Sequence, residues 1–366
     1  MVRHQLGLAA ILLFIIGGIV PPTSLADGNA SGLLKQDHEL SLQRTFPPAD
    51  QWSIEKLAKA MLYAEQIGSS AVIVLHQGRL VLEWGKTTLR IKSHSIRKSL
   101  LSALYGIAVD RKQIDLSSTL AELGIDDRPP CLTIAEKKAS IEDLLKSRSG
   151  VFHPAAAESR NAIKARPQRG AFAPGEHWYY NNWDFNVLGT IFERQTNETI
   201  GQAFKEWIAD PIGMQDFRAK DVHLEWDDAS IHPAYPFWIT ARDLARFGQL
   251  YLQEGLWENK QIIPAQWIRD SMIPYSKHSR GGYGYMWWIE YSGAYYASGF
   301  FGQKLLIIPK SRMVIVNRVF TGTPSLRKLP NEVLRELGQF VDPVTEKEFE
   351  RLVELICGAA PKGSGN

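Results

Sequence analysis

Ser93-His94-Ser95-Ile96-Arg97-Lys98-Ser99-Leu100-Leu101 is the stretch on which the reading of this chain turns. After Ser95, apolar residues fall at Ile96, Leu100, Ala103, Leu104, Ile107 and Ala108, which is helical spacing. Ser95 is therefore expected at or just inside the start of a buried helix, with Lys98 one turn along the same face. A serine hydroxyl is a poor nucleophile until a neighbour takes its proton, and a desolvated lysine amine can do so. The same spacing recurs at Ser53-Ile54-Glu55-Lys56 and at Ser325-Leu326-Arg327-Lys328. On spacing alone each of the three is an ordinary helix turn, so the surrounding chain has to single one out.

The chain has 366 residues, 45% apolar and 22% charged, enough for a large core. A net charge of +3, with no basic run interleaved with aromatics, excludes a nucleic-acid partner from the expectations. Residues 1–26 read as a signal peptide: a short basic start at Arg3 and His4, an uncharged run from Leu6 to Val20, Pro21-Pro22, then Ser24-Leu25-Ala26 before Asp27. The run is shorter than the roughly 20 residues of a membrane helix, so cleavage is preferred over an uncleaved anchor. The mature protein is then expected in the periplasm or outside the cell, touching membrane only through that signal. The two cysteines, Cys131 and Cys357, are expected as buried thiols, with a single disulfide as the alternative. No Cys/His cluster has metal-ligand spacing, since Leu42 stands where His38-Glu39 would need a second His. Neither a metal nor a cofactor is expected.

Asp27 to about Asp50 is a polar lead-in, followed by an amphipathic helix through Ile54, Leu57, Ala58, Met61 and Leu62. Ala71 to Leu75 and Leu80 to Trp84 read as strands of a hairpin turning at Gln77-Gly78. From Asp115 to about Leu256 the pattern is helical with long loops. It includes a face at Val187, Leu188, Ile191 and Phe192, another at Ile200, Phe204, Trp207 and Ile208, and a capping box at Thr240-Ala241-Arg242-Asp243. Strand character returns at Tyr283 to Glu290, Ala294 to Ser298, Lys304 to Ile308 and Met313 to Val319. Thr345 to Glu348 opens a last helix, and Gly358 to Asn366 reads as a loose tail. Strands at both ends with helices between predict one antiparallel sheet flanked by helices, with a mostly helical subdomain inserted, an α/β (α+β) fold.

Two further stretches carry chemistry. In Tyr179-Tyr180-Asn181-Asn182-Trp183, a Tyr and an Asn two apart point the same way if extended; a phenol relays protons, and a carboxamide both donates and accepts. In Ala297-Ser298-Gly299-Phe300-Phe301-Gly302-Gln303, glycines after a strand let a ligand approach the backbone, where the Phe300 N–H would face a carbonyl oxygen. Taken alone, the first is a loop packed by its own aromatics and the second a bulge between edge strands.

Together and in this order, the three stretches resemble the serine β-lactamase and penicillin-binding-protein superfamily. The form is nearest class C β-lactamases and the related esterases and 6-aminohexanoate-dimer hydrolases. The resemblance covers about residues 50 to 320 and implies a β-lactamase/transpeptidase-like fold. By it, Ser95 is the nucleophile, Lys98 and Tyr180 are acid/base groups, and Asn182, Ser298, Gly299 and Phe300 contact substrate. Either Lys98 or Tyr180 can be the acylation base; a similar question is open for class A enzymes. The register Tyr180-Asn181-Asn182 is preferred over Tyr179-Tyr180-Asn181 because Trp183 to Gly189 then matches the family's helix start.

One departure bears on substrate. The third motif commonly begins with Lys or His, and here that residue is Ala297, which cannot pair with a substrate carboxylate. With Trp287, Trp288 and Phe300 as apolar walls, the expectation is an exported serine hydrolase of small or peptide-like esters or amides lacking that carboxylate. The alternatives are a D,D-carboxypeptidase or β-lactamase taking its cation from Arg160, Arg166 or Arg169, and a non-catalytic binding relative. An α/β-hydrolase is disfavoured, since no Gly-x-Ser-x-Gly occurs. The expected layout is signal 1–26, lead-in 27–50, catalytic domain 51–345 and C-terminal helix with tail 346–366. Within the domain, 51–114 and 262–345 form the sheet subdomain and 115–261 the insert; oligomeric state is left open.

Overall fold

The computed structural model of the chain describes residues 52–322 and 343–361. The signal peptide, the lead-in and Ser325-Leu326-Arg327-Lys328 lie outside the described residues. The strands are β1 Ala71–His76, β2 Arg79–Gly85, β3 Ile91–Lys92, β4 Glu225–Asp227, β5 Ser230–Ala234, β6 Trp238–Ile239, β7 Leu256–Trp257, β8 Lys260–Gln261, β9 Ser276–His278, β10 Gly281–Tyr283, β11 Trp288–Glu290, β12 Tyr295–Gly299, β13 Gln303–Ile308 and β14 Met313–Arg318. The α-helices are α1 Ile54–Gln66, α2 Ile96–Asp110, α3 Ile141–Leu145, α4 Arg160–Ala165, α5 Asn182–Thr196, α6 Ile200–Phe204, α7 Ala241–Leu252, α8 Ala265–Ser271 and α9 Glu346–Cys357.

Among the described residues the main sheet has eight strands in the order β2-β1-β14-β13-β12-β11-β10-β9, and every pairing is antiparallel. This is the antiparallel sheet flanked by helices that the strand and helix pattern predicts. The β1–β2 hairpin turns at Gln77 and Gly78, both with positive φ (51° and 77°), as a two-residue turn of matching twist requires. The central strands are apolar on both faces because helices cover both. On β1, Ala71, Ile73 and Leu75 join one core while Val72 and Val74 join the other. The first core holds α2, α5 and α7; the second holds α1 and α9. Helix α7 comes so close to the sheet that a Cβ on Gly248 would lie 2.6 Å from a Val314 methyl.

The structure departs from the sequence expectations in several places. Tyr283 to Glu290 is not one strand but β10 and β11, reversed through Gly284 to Trp287 with Met286 at φ 62°. The turn is apolar because it is buried, so its composition imitates a strand. Of the capping box at Thr240 only half forms. Thr240 Oγ1 accepts the Asp243 N–H at 3.2 Å, while the Asp243 carboxylate accepts the N–H groups of Gln215 and Asp216, each at 3.0 Å. Residues 358–361 are not loose: the Ser53 N–H donates to Ala359 O at 2.9 Å and Lys56 Nζ to Gly358 O at 2.8 Å, tying them to α1. Cys131 and Cys357 are free and exposed, neither paired nor buried as expected.

Candidate active site

Ser95 occupies the N-cap of α2 at φ −75° and ψ −9°, yet its side chain caps no backbone N–H. Its hydroxyl accepts instead from Lys98 Nζ at 2.7 Å, one turn along. Ser53 makes the contrast. Its Oγ accepts the Lys56 N–H at 3.4 Å as an ordinary cap, and the Lys56 amine reaches away to a carbonyl. What separates the two is burial: Ile96 to Ala108 is buried on every side of α2, so the Lys98 side chain is held out of bulk water.

Lys98 is 2% exposed and lies over the rings of Tyr180 (4.8 Å) and Phe185 (4.9 Å). Burial, and then the neighbouring Arg97 charge, hold its pKa well below the ordinary lysine range. Tyr180 is seated by its neighbours, stacked on Trp288 at 5.4 Å and edge-on to Tyr283 at 6.0 Å. Burial pushes its phenol up to about 12, against the opposing pull of a hydrogen bond with Ser95 and of Arg97.

The segment before α5 sorts itself by hydrogen bonding. Tyr179 Oη donates to Ala162 O at 2.7 Å, away from Ser95. Asn181 caps α5 through the Trp183 N–H (3.2 Å), and its Nδ2 donates to Val151 O (2.6 Å) and Asp184 (2.9 Å). Tyr180 and Asn182 are left facing a cleft of about 370 Å³ that Ser95, Lys98, Arg97, His94 and Phe300 also line. Asn182 Nδ2 donates to Ala157 O at 2.6 Å, while its Oδ1 is buried with no partner among the described residues.

The third stretch arrives through Gly299, for a reason other than ligand approach. A Cβ there would meet Ser93 O at 2.4 Å, so the missing side chain lets the end of β12 press against the turn that precedes Ser95. That turn is strained: His94 has φ 47° and packs against both the Phe300 and Phe301 rings, at 6.3 and 5.7 Å. Phe300, 61% exposed, lines the cleft; Ser298 and Gly299 do not. Ala297 is 1% exposed inside the apolar core and Trp287 is fully buried there, so neither faces the cleft as expected. Trp288 acts on the cleft only through Tyr180.

The arginines considered as cation donors are committed or remote. Arg166 pairs with Glu158; Arg169 pairs with Glu136 and donates to Pro130 O and Cys131 O; Arg160 is exposed on α4 and does not line the cleft. Besides Lys98, and Lys92 which pairs with Glu225, the cleft is lined by a cation that motif reading passed over, Arg97, the charged neighbour of Lys98 in the run that follows Ser95. Among the described residues, no group of three or more His, Cys, Asp or Glu side chains is placed to hold a metal, and no helix is long and apolar enough to cross a membrane.

The beta-lactamase family model matches residues 54–336, most of the chain and all of the elements described above except α9. The chain belongs to the beta-lactamase family. Within that family of hydrolases its relatives are diverse. A 6-aminohexanoate-dimer hydrolase of Paenarthrobacter ureafaciens is 23% identical over 320 residues, 76% of this chain and 80% of that one. A D-aminopeptidase of Brucella anthropi is 29% identical over 171 residues, 40% of this chain, and the match spans only 31% of that protein's length. Among solved structures, a family VIII carboxylesterase superposes at TM-score 0.59 with 15% identity, covering 83% of this chain and 97% of that one, a likeness of fold. The chain thus has the beta-lactamase fold and belongs to a family of hydrolases.

Proposed function

We propose that this protein is a serine hydrolase that cleaves an ester or amide bond through an acyl-enzyme on Ser95. The observation that carries the reading is the 2.7 Å contact between the Ser95 hydroxyl and a buried lysine amine that no carboxylate among the described residues neutralises. Desolvation favours the neutral amine, and a neutral amine accepts a proton. Ser95 Oγ attacks the substrate carbonyl carbon as its proton passes to Lys98 Nζ. The oxyanion is received by the Ser95 and Phe300 N–H groups; the close approach of Gly299 to Ser93, near them in the chain, supports this pairing. A phenol with a pKa near 12 is protonated at neutral pH, so Tyr180 is the proton donor to the leaving group and Lys98 the acylation base. On deacylation the Tyr180 phenolate takes a proton from the attacking water, whose oxygen displaces Ser95 Oγ from the acyl carbon, and the Lys98 ammonium returns its proton to Ser95 Oγ. Asn182 Oδ1 accepts from a substrate N–H where one is offered. Export through residues 1–26 belongs to the same reading; N-terminal sequencing of the secreted protein checks it.

Fluorophosphonate labelling is the test. The wild type labels once, Ser95→Ala not at all, and Ser53→Ala like the wild type. Labelling that survives Ser95→Ala removes the proposal, and with it the distinction from a non-catalytic binding relative.

A further inference from the structure

Arg97 is 3% exposed, in the first turn of α2, two residues from Ser95. Its Nη2 donates to Asn186 Oδ1 at 2.6 Å, and its guanidinium carbon lies 4.2 Å over the Tyr235 ring. Its Nη1 is buried with no hydrogen-bond partner, and no carboxylate among the described residues pairs with it. A buried guanidinium is costly unless it is paired and its donors are satisfied. The other two buried arginines among the described residues are provided for: Arg318 donates to Gln303 Oε1, Ile239 O, Ile91 O and Lys92 O, and Arg246 has the Asp243 and Asp216 carboxylates nearby. Arg97 differs from Arg318 in one respect of consequence, for it lines the cleft. The two acids that line the same cleft are already engaged, Glu158 by Arg166 and Glu225 by Lys92. The cleft therefore has a cation in want of an anion beside the serine.

We propose that Arg97 is the subsite for a substrate carboxylate, so that the esters or amides cleaved at Ser95 are ones carrying a carboxylate within reach of the scissile carbonyl. This rests on the serine-hydrolase reading and reverses one expectation: Ala297 removes the family's usual cation, and Arg97 supplies another from a different element. A carboxylate oxygen suits the unpaired Nη1 edge of the guanidinium. The unpaired Asn182 Oδ1 in the same cleft argues against a phosphate dianion, which offers it no donor, and suits an amide N–H. A purely electrostatic role toward Lys98 leaves the Arg97 charge in place but predicts no discrimination between charged and neutral substrates.

The test compares mono-p-nitrophenyl glutarate with p-nitrophenyl butyrate at one pH, so that any change in Lys98 basicity cancels in the ratio. The wild type favours the anionic ester in kcat/KM. Arg97→Gln lowers that ratio by about 10- to 100-fold, chiefly through KM of the anionic ester, and Arg97→Lys lowers it less. An unchanged ratio in Arg97→Gln overturns the inference. Should that variant fail to fold, protection of wild-type Ser95 from the fluorophosphonate decides: glutarate protects and neutral glutaramide does not, whereas equal protection by both, or none by either, overturns it. Labelled Ser95 with no charge preference sinks this inference alone. Absence of both labelling and turnover sinks the hydrolase reading as well.

Discussion

Gly299 and Ser93 are in backbone contact so close that a Cβ on the glycine would lie 2.4 Å from the serine carbonyl oxygen. This one approach joins the end of β12 to the turn carrying Ser95, and Phe300 and Ser95 line the same cleft. Gly299→Ala is expected to push the two apart and lower kcat by about 10- to 100-fold, since oxyanion donors act only within hydrogen-bond reach. Fluorophosphonate labelling should slow in parallel while the unfolding midpoint moves little. Full activity in Gly299→Ala would show that the contact does not position the site.

The Lys98 amine should control the acid limb of the pH profile. Because burial and Arg97 lower its pKa, the neutral and competent form appears at lower pH than for an ordinary lysine. kcat/KM should rise with pH through that depressed value. Arg97→Gln removes a repelling charge, raises the Lys98 pKa, and moves the limb to higher pH. Lys98→Arg, which stays charged, should lose most acylation.

The same burial has an opposite effect on stability. Lys98 binds its proton less readily in the native than in the unfolded chain, so stability falls as pH drops from the unfolded value of about 10.4 toward the native one. Lys98→Met removes this cost. Thermal unfolding should show it more stable than the wild type at pH 7, by about 1 kcal/mol or more per unit of depression, with the gap closing by about pH 10.5. A Lys98→Met protein that is less stable at pH 7 would contradict a desolvated amine.

Ala297→Lys tests where the third motif points. With Ala297 buried among apolar side chains, the new ammonium should cost about 3 kcal/mol or more in chemical denaturation and should confer no gain on carboxylate-bearing substrates. A well-folded variant with raised β-lactam turnover would restore the expectation drawn from sequence.

Ser53→Ala should lose only a helix cap, about 0.5–2 kcal/mol of stability, with turnover unaltered. Urea unfolding and ester hydrolysis on one preparation separate the two effects.

How much of this was readable beforehand depends on the range of the forces involved. Helix α2, the Gln77-Gly78 turn and the α9 capping box follow from neighbours within a few residues, and they appear where periodicity and turn chemistry place them. Tyr180 and Asn182, picked out by motif, both line the cleft. The β10–β11 reversal was not legible, because Met286 in the left-handed region is held there by packing from distant elements. Trp287 and Ala297 were misplaced for the same reason: which side of the sheet a residue near a bulge or turn faces is fixed by tertiary contact. Arg97 was overlooked because its meaning lies in partners that are absent, and a sequence does not show which donors go unanswered.

The bond from Ser53 N to Ala359 O places the first and last of the described residues together, in the layer across the sheet from α2 and α5. The molecule can therefore be gripped from behind. A tether, a resin linkage or a short peptide joining those ends leaves the mouth of the cleft pointing away from whatever holds it, so immobilised protein should keep its access to bulky or polymeric material.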